Sequence, residues 1–301
     1  MTNIPTNSPF VNFADGPYSS WRDQKLSSYP QHVEDLLVKI SDPTRLSSDE
    51  ISALININRK TNAVIYQLPL KEAADKDNIK HIGEQLGLLN LDKNLCAGED
   101  AISVLTVKND EKASKYIPYS NKKLCWHTDG YYNKVENHIK AFVLHCVNPA
   151  INGGENFLLD HELIYIHLRD LNLKFIKALM HPKAMTIPAN IENGSEIRSE
   201  QTGPVFFIDT KTGSLHMRFT ARQKNIHWRD DPATKEAVSC LMDYLESNSK
   251  YIFSYKLKAG EGLIANNILH GRSEFADDKM QRRVFLRARY CNGIGQKNSK
   301  K

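Results

Sequence analysis

The chain has 301 residues, of which 41% are hydrophobic and 25% are charged, and it carries a net charge of +5. This length can bury one sizeable core, and the sequence has no apolar run of transmembrane length, so a membrane partner is not expected. The lysines and arginines are scattered rather than gathered into a stripe, which argues against nucleic-acid binding.

The first 45 residues are predicted to form an N-terminal arm and a first helix. Residues 1–30 show no hydrophobic period, and the helix is predicted within 30–40. The apolar residues that recur there at helical spacing are Val33, Leu36, Leu37 and Ile40. One domain is predicted over 46–295, and a frayed basic tail over 296–301.

Within the domain, Ser47 and Glu50 form a capping box that opens a helix. The elements predicted after it are a strand at 63–68, a helix at 78–88, a strand at 138–147, a helix at 159–179, a hairpin of 205–210 with 214–220, and a helix from Pro232 to Ser247.

His127 and Asp129 stand two residues apart in an aromatic-rich stretch that contains a glycine. This composition favours a strand that runs into a tight turn. Side chains two apart on a strand point to the same side, so both residues can hold one metal ion. The chain also contains His32 and Glu34 at the same spacing, but their helical surroundings indicate an ordinary surface pair.

A second histidine, His270, follows a turn with two glycines and a short apolar strand, and is predicted at or just past the end of that strand. Two imidazole nitrogens and one carboxylate oxygen on one face of an ion leave the opposite positions open. This arrangement is typical of non-heme Fe(II) oxygenases. His127, Asp129 and His270 are therefore the candidate metal ligands and the candidate catalytic centre.

The strand predicted over 281–290 places Arg283, Arg287 and Arg289 on one face. On an isolated strand, such arginines would lie in water. Buried beside a metal, they would need anions, and the arginine fork matches a carboxylate. A site that uses 2-oxoglutarate supplies one carboxylate far from the metal. One arginine would bind it, and the others would remain for the substrate.

Four segments occur in the order and at the spacing of the taurine dioxygenase-like (TauD/TfdA) Fe(II)/2-oxoglutarate oxygenases. They are residues 126–130, 152–160, 269–272 and 281–287. The chain resembles this family over roughly residues 100–292, and within the family it is most similar to the glutarate 2-hydroxylases. The resemblance implies that 46–295 is a dioxygenase domain.

The resemblance also implies roles for individual residues. His127, Asp129 and His270 would bind Fe(II), and Arg283 would bind the distal carboxylate of 2-oxoglutarate. Arg287 and Arg289 would face the substrate or share in cosubstrate binding. Asn156 departs from the Thr or Ser that many relatives carry, but its amide can still donate a hydrogen bond to 2-oxoglutarate.

The expected fold is mainly β with flanking helices, a double-stranded β-helix or cupin-like jelly roll, because short strands with glycine turns stand on both sides of a long insertion. The family resemblance supports the same topology. It implies a hydroxylase that uses Fe(II), 2-oxoglutarate and O2, releases succinate and CO2, and acts on a small carboxylate.

Other functions fit parts of the pattern. An oxygenase of the same class could act on an amino acid or a carrier-bound acid. A zinc hydrolase could use the same three ligands, but no clear general base stands nearby. A non-catalytic cupin-like binding protein is expected to have lost a ligand, and none is missing here.

Five cysteines are widely spaced without a Cys-x-x-Cys pair, and no signal peptide is recognised. These features favour a reducing compartment, and we expect the protein in the cytoplasm. The resemblance is also compatible with a homo-oligomer.

Overall fold

The computed structural model describes residues 8–11, 13–92, 100–108, 116–222, 224–278 and 280–295. The predicted tail at 296–301 lies outside these residues. The helices of the described chain are α1 (Asp15–Ser28), α2 (Ser48–Thr61), α3 (Lys76–Gln85), α4 (His161–Leu171), α5 (Leu173–Leu179) and α6 (Pro232–Leu245). None of them is long and apolar enough to cross a membrane.

The strands of the described chain are β1 (Leu37–Lys39), β2 (Ala63–Gln67), β3 (Ser103–Leu105), β4 (Leu124–His127), β5 (Ala141–Asn148), β6 (Asn152–Gly153), β7 (Asn156–Leu159), β8 (Met185–Ile187), β9 (Asn190–Glu192), β10 (Ser195–Arg198), β11 (Gln201–Gly203), β12 (Phe206–Ile208), β13 (Leu215–Met217), β14 (His227–Trp228), β15 (Phe253–Tyr255), β16 (Glu261–Ala265), β17 (Leu269–Arg272), β18 (Phe275–Ala276) and β19 (Val284–Tyr290).

Two sheets of different size hold most of the long-range pairing. The larger has the order β1-β2-β16-β5-β19-β3, and the smaller has the order β15-β7-β17-β4. Every neighbouring pair in them is antiparallel except β1 with β2. The chain is therefore a mixed helix and strand protein whose sheets are mainly antiparallel.

The larger sheet is buried on both faces. On β5, Phe142 and Leu144 belong to the core that also contains β7 and β17 of the smaller sheet. Ala141 and Val143 belong to a second core with residues of α2 and α3. Successive side chains of a strand point to opposite faces, so one face of this sheet is directed at the smaller sheet and the other is covered by helices.

Helix starts were well predicted because their capping residues are local signals. Ser47 accepts from the Glu50 N–H and Glu50 bonds back to Ser47, as the capping box predicts. Asp231 caps α6 ahead of Pro232. The helix expected over 159–179 is instead divided, because Asn172 leaves helical geometry and its side chain caps α5.

The helix predicted within 30–40 was wrong. A single 3-10 turn at Val33–Leu36 is followed by β1, which pairs in parallel with β2. Leu36, Val38 and Ile40 are the buried residues there, and this spacing of two is the strand pattern. The short apolar run fits both periods, and pairing with β2 decides between them. His32 and Glu34 are exposed, as expected of an ordinary surface pair.

The N-terminal arm contains a helix that the sequence pattern did not predict. Helix α1 is held mainly by contacts with α4 and its cap. The Lys25 ammonium lies 2.6 Å from Asp160 and 2.5 Å from Glu162, and it is buried. The Tyr18 hydroxyl donates to Asp170 at 2.6 Å. Tertiary contacts therefore stabilise this helix in place of an amphipathic period.

The paired glycines at 153–154 make a turn that only glycine adopts without strain. Gly153 has φ +68°, and a Cβ atom there would lie 2.2 Å from the Glu274 carbonyl oxygen. We expect Gly153→Ala to lower the free energy of unfolding by about 2 kcal/mol or more, because both strain and a backbone clash arise. Chemical denaturation measures this. Gly16→Ala in α1, where a Cβ meets nothing, is the control and should be neutral or stabilising. Equal loss in both variants would contradict the prediction.

Candidate metal and cosubstrate site

The three predicted ligands come together at the β4 and β17 edge of the smaller sheet. His270 lies directly opposite His127 in the antiparallel pairing of the two strands. Asp129 follows two residues after His127, just before the turn at Gly130, where φ is +66°. One ligand atom from each of the three residues lies within 4.8 Å of the other two. His270 lies inside β17, two residues before its last residue, and not at or just past the end of the strand as predicted.

Backbone carbonyls fix the orientation of both histidine rings. The Nδ1 atom of His127 is 2.9 Å from the Cys125 carbonyl oxygen, and Nδ1 of His270 is 3.0 Å from the Ile268 carbonyl oxygen. A carbonyl only accepts, so each Nδ1 carries the proton and each Nε2 keeps a free lone pair. Both imidazoles therefore present a metal-binding nitrogen to the same point.

The carboxylate of Asp129 is oriented by its neighbours and has one free oxygen. Its backbone N–H donates to the Asn267 amide oxygen at 2.7 Å, and Oδ1 accepts from Arg287 at 3.1 Å. Oδ2 is buried and has no hydrogen-bond partner among the described residues. A buried carboxylate oxygen needs a partner, and a divalent cation between Oδ2 and the two imidazoles would supply it. The residues present therefore fit a metal ion.

The charges around the site keep its ligands in metal-binding form. Burial alone would raise the pKa of Asp129, but the positive charges of Arg287 and Arg289 hold it well below its usual range. Burial and the neighbouring His127 lower the pKa of His270 to about 3. At neutral pH, the pair is a carboxylate and a neutral imidazole, the forms that bind a cation.

A cavity opens beside His270, between the two sheets. Its volume is about 30 Å³, or about 430 Å³ when the open solvent at its mouth is counted. Phe142, Leu144 and Arg283 are among its lining residues. The guanidinium of Arg283 lies 3.8 Å from the ring centroid of Phe285 and 5.1 Å from that of Phe275. Its Nε atom is buried without a hydrogen-bond partner among the described residues. Among the described residues, this cation therefore has aromatic contacts and no carboxylate within 4 Å.

The pKa of Arg283 reflects its burial. Burial, with a smaller contribution from the charge of Arg272, lowers the pKa of Arg283 to about 9. The side chain is still protonated at neutral pH, but it is held in a poorly solvated place. A carboxylate that entered the cavity would meet a charged and unpaired fork.

Asn156 lies in the same cavity, on the strand next to His270. It is buried, pairs across the sheet with Arg272, and its amide nitrogen is 3.4 Å from the Tyr255 carbonyl oxygen. This contact is long, so the amide remains able to donate to a ligand.

The other two predicted arginines already have internal partners. Arg287 lines the cavity but bonds to Asp129 at 3.1 Å. Arg289 forms an ion pair with Asp92 and donates to the Tyr132 hydroxyl at 3.2 Å. Arg287 and Arg289 share one face of β19, whereas Arg283 lies just before that strand, on the far side of a register shift between Val284 and Phe285. Of the three arginines, only Arg283 has no carboxylate within 4 Å among the described residues.

Residues 25–289 match the taurine catabolism dioxygenase TauD, TfdA family. The chain belongs to this family. The family expected from the four sequence segments is therefore confirmed, and the chain is a member of a family of dioxygenases.

Known proteins share sequence or fold with the chain. A uridine-5'-phosphate dioxygenase from Streptomyces sp. is 27% identical over 172 residues, which are 56% of this chain and 61% of the relative. The match thus spans less than two thirds of that protein.

Solved structures of oxygenases show the same fold. An asparagine oxygenase in complex with Fe(II), 3-hydroxyasparagine and succinate has a TM-score of 0.55 at 13% identity, with 84% of this chain and 85% of that one covered. The non-heme iron oxygenase OrfP in complex with Fe and alpha-ketoglutaric acid has a TM-score of 0.59 at 13% identity, with 84% and 82% covered.

Two residues of this TauD-family site were not assigned from the sequence. Arg272 lines the cavity, and its position two residues after His270 in the same strand is the signal that could have found it. Asn267 donates to the Asp129 and Ile139 carbonyl oxygens and has φ +50°. In the sequence, only its position three residues before His270 indicates Asn267, because an asparagine with left-handed backbone has no other local sequence signal.

Proposed function

We propose that the protein is an Fe(II)- and 2-oxoglutarate-dependent dioxygenase that hydroxylates a small carboxylate-bearing molecule. The observation that carries the proposal is the combination of two oriented imidazoles, a buried free carboxylate oxygen and an unpaired arginine around one cavity. A 2-oxoglutarate molecule has one end that chelates a metal and a carboxylate at the other end, and this combination complements both.

In this proposal His127, Asp129 and His270 hold Fe(II). When bound, Fe(II) and 2-oxoglutarate supply oxidative decarboxylation, with release of succinate and CO2 and transfer of one oxygen atom of O2 to a substrate carbon. Asn267 keeps the Asp129 backbone in place, and Arg287 keeps its carboxylate directed at the site. The protein thus orients ligands and substrate, while the chemistry belongs to the metal and cosubstrate.

Arg283 would bind the distal carboxylate of 2-oxoglutarate, and Asn156 would donate to the same molecule. The aromatic rings of Phe275 and Phe285 hold the Arg283 guanidinium in place and exclude water from it. Exclusion of water strengthens a charge-assisted pair. Arg272, held by the carbonyl oxygens of Ser120 and Lys122, adds a second positive charge to this end of the cavity.

We further propose that the two sheets form the double-stranded β-helix typical of cupins. Two mainly antiparallel sheets with a shared core and short strands support this topology. The helices lie on the outer face of the larger sheet and in the insertion between β7 and β15, which agrees with a jelly roll that carries additions.

A small carboxylate remains the proposed substrate, and an amino acid is the second candidate. The asparagine oxygenase and OrfP structures contain hydroxylated asparagine and arginine, and both amino acids bear a carboxylate.

The cytoplasm remains the predicted location. We propose no nucleic-acid or membrane partner.

The decisive experiment compares metals in one assay. Protein loaded anaerobically with Fe(II) is given 2-oxoglutarate and O2, and succinate is measured with and without a panel of small carboxylates and amino acids. Succinate above background with Fe(II) and none with Zn(II) is the expected result. Ester or amide hydrolysis by the Zn(II) protein without succinate formation would favour the hydrolase instead.

A further inference from the structure

A second group of cations lies near the turn that follows Asp129. Tyr131 and Tyr132 follow directly after Asp129 and Gly130, and their ring centroids are 5.1 Å apart in an edge-on arrangement. The guanidinium of Arg198, at the end of β10, lies 5.7 Å from the ring centroid of Tyr132. We call Tyr131, Tyr132, Arg198 and Arg222 the aromatic-arginine cluster.

Arg222 reaches this cluster from the segment that runs beside β4. The preceding residue, Ala221, donates its N–H to the Trp126 carbonyl oxygen at 2.8 Å. The positive charge of Arg222 acts on Tyr131 and on Arg198. Three of the four cluster residues are partly buried at most, and Arg222 is exposed. A ligand can therefore approach the cluster from solvent.

The cluster lies next to the metal ligands. Tyr131 is two residues from Asp129, and Thr220, two residues before Arg222, lies opposite His127 in a β-bridge. The Tyr132 hydroxyl accepts from Arg289, whose charge in turn acts on Asp129. A small molecule that contacted both tyrosines would therefore lie beside the metal centre.

The cluster has more positive than negative charge. No carboxylate of the described residues lies within 4 Å of Arg198 or Arg222. Arg198 bonds only to the carbonyl oxygens of Pro188, at 2.8 Å, and Ser199, at 3.4 Å. The buried Arg218 lies behind them and also bonds only to carbonyls, among them that of Tyr131 at 3.3 Å. Neighbouring guanidiniums repel each other, and a bound anion would offset this repulsion.

Arg287 and Arg289, which the sequence analysis assigned to the substrate, are poorly placed to bind an anionic group of the substrate. Arg287 is paired with Asp129, and Arg289 is paired with Asp92. Binding a substrate anion through either of them would break an ion pair that is largely buried, which costs more than using a cation without a partner.

We propose that Arg198 and Arg222 bind the anionic group of the substrate, a carboxylate or a phosphate monoester, while the rings of Tyr131 and Tyr132 contact its carbon part. This inference rests on the proposed function, because it takes the hydroxylated carbon to lie at the metal. Because planar guanidiniums match both a carboxylate and a phosphate, the experiment below compares the two anions.

The test measures anion binding without turnover. Anaerobic protein with Fe(II) and saturating 2-oxoglutarate is titrated in a calorimeter with glutarate and, separately, with inorganic phosphate. Arg198→Gln, Arg222→Gln and the double variant are compared with the wild type, and Arg59→Gln on the exposed face of α2 is the matched control. We expect one anion to bind the wild type and the control equally, at least tenfold more weakly to each single variant, and not measurably to the double variant.

Lysine variants separate a binding role from a structural one. Arg198→Lys and Arg222→Lys keep the charge and lose the fork, so partial recovery of affinity is expected. Thermal unfolding of each variant identifies any that fail to fold, and the exposed Arg222 provides the variant least coupled to the fold. Unchanged affinity in a folded double variant, or no binding of either anion to the wild type, would overturn the proposal.

The outcome is distinguishable from failure of the proposed function. If the wild type makes no succinate with Fe(II), the dioxygenase proposal fails, whatever the titrations give. The same titrations of metal-free protein still report whether affinity depends on Arg198 and Arg222, since an anion bound at Arg283 would be insensitive to them. Succinate formation together with an anion affinity independent of both arginines would reject this inference alone.

Discussion

His270→Ala is expected to abolish stoichiometric Fe(II) binding and succinate formation together. His270 supplies one of only two imidazoles at the site, and its Nε2 is fixed toward the other ligands by the Ile268 carbonyl oxygen. Loss of residues that merely orient ligands costs about 10- to 100-fold in metal affinity. Loss of a ligand should therefore exceed about 100-fold. Equilibrium dialysis with Fe(II) measures the affinity independently of activity.

The second histidine and carboxylate pair in the chain provides a matched control. His32 and Glu34 have the same sequence spacing as His127 and Asp129, but both are exposed and no second histidine joins them in the described residues. His32→Ala should therefore bind iron and form succinate as the wild type does. Near-normal iron binding by His270→Ala would show that the ligand assignment is wrong.

Arg283→Ala is expected to raise the KM for 2-oxoglutarate by about 100-fold or more. Its guanidinium is buried between aromatic rings with no anion among the described residues, so it is available to a carboxylate in the cavity. Loss of a buried charge-assisted bidentate pair costs about 3 kcal/mol, which corresponds to this change. Arg283→Lys should recover only part of the affinity, since an ammonium lacks the fork.

Thermal unfolding gives a second measure of the role of Arg283. Without cosubstrate, a buried unpaired charge destabilises the fold, so Arg283→Ala should keep or raise the Tm of the metal-loaded protein. The increase in Tm that 2-oxoglutarate gives the wild type should be lost. The exposed neighbour Arg282 supplies the control, and Arg282→Ala should retain this increase. A KM unchanged by Arg283→Ala would assign the cosubstrate carboxylate to another cation, of which Arg272 is the nearest candidate.

Much of the metal site could be predicted because it depends on local geometry. The spacing of His127 and Asp129 follows from strand alternation, and the shared face of Arg287 and Arg289 follows from the same rule. The rule does not reach Arg283, because a register shift lies between it and the rest of β19. The partners of Arg287 and Arg289 could not be predicted in this way. Asp129 and Asp92 lie far away in sequence, and only the packing of loops against the larger sheet brings them within reach.

The fold shows the same division between local and long-range information. The capping residues predicted the start of α2, and they predicted α6 close to its observed bounds. Helix α1 was missed because its buried Lys25 reads as a surface residue until Asp160 is known to lie beside it. Strand β1 was taken for a helix because Leu36 and Ile40 fit both the helical and the strand period, and pairing with β2 selects the strand.

The hydrogen bonds from the imidazoles to Cys125 and Ile268 also bear on which metal the protein acquires. They hold the nitrogen donors in place through the backbone, so assembly of the ligand set does not require the ion. Such a set has little means of rejecting other divalent ions of similar size, and intrinsic affinity rises from Fe(II) through Ni(II) to Cu(II). Correct metallation then depends on the ions available where the chain folds. Purified protein will contain the divalent ion that was available to it during expression and purification. The bound metal must therefore be removed and replaced with Fe(II) before rates are compared.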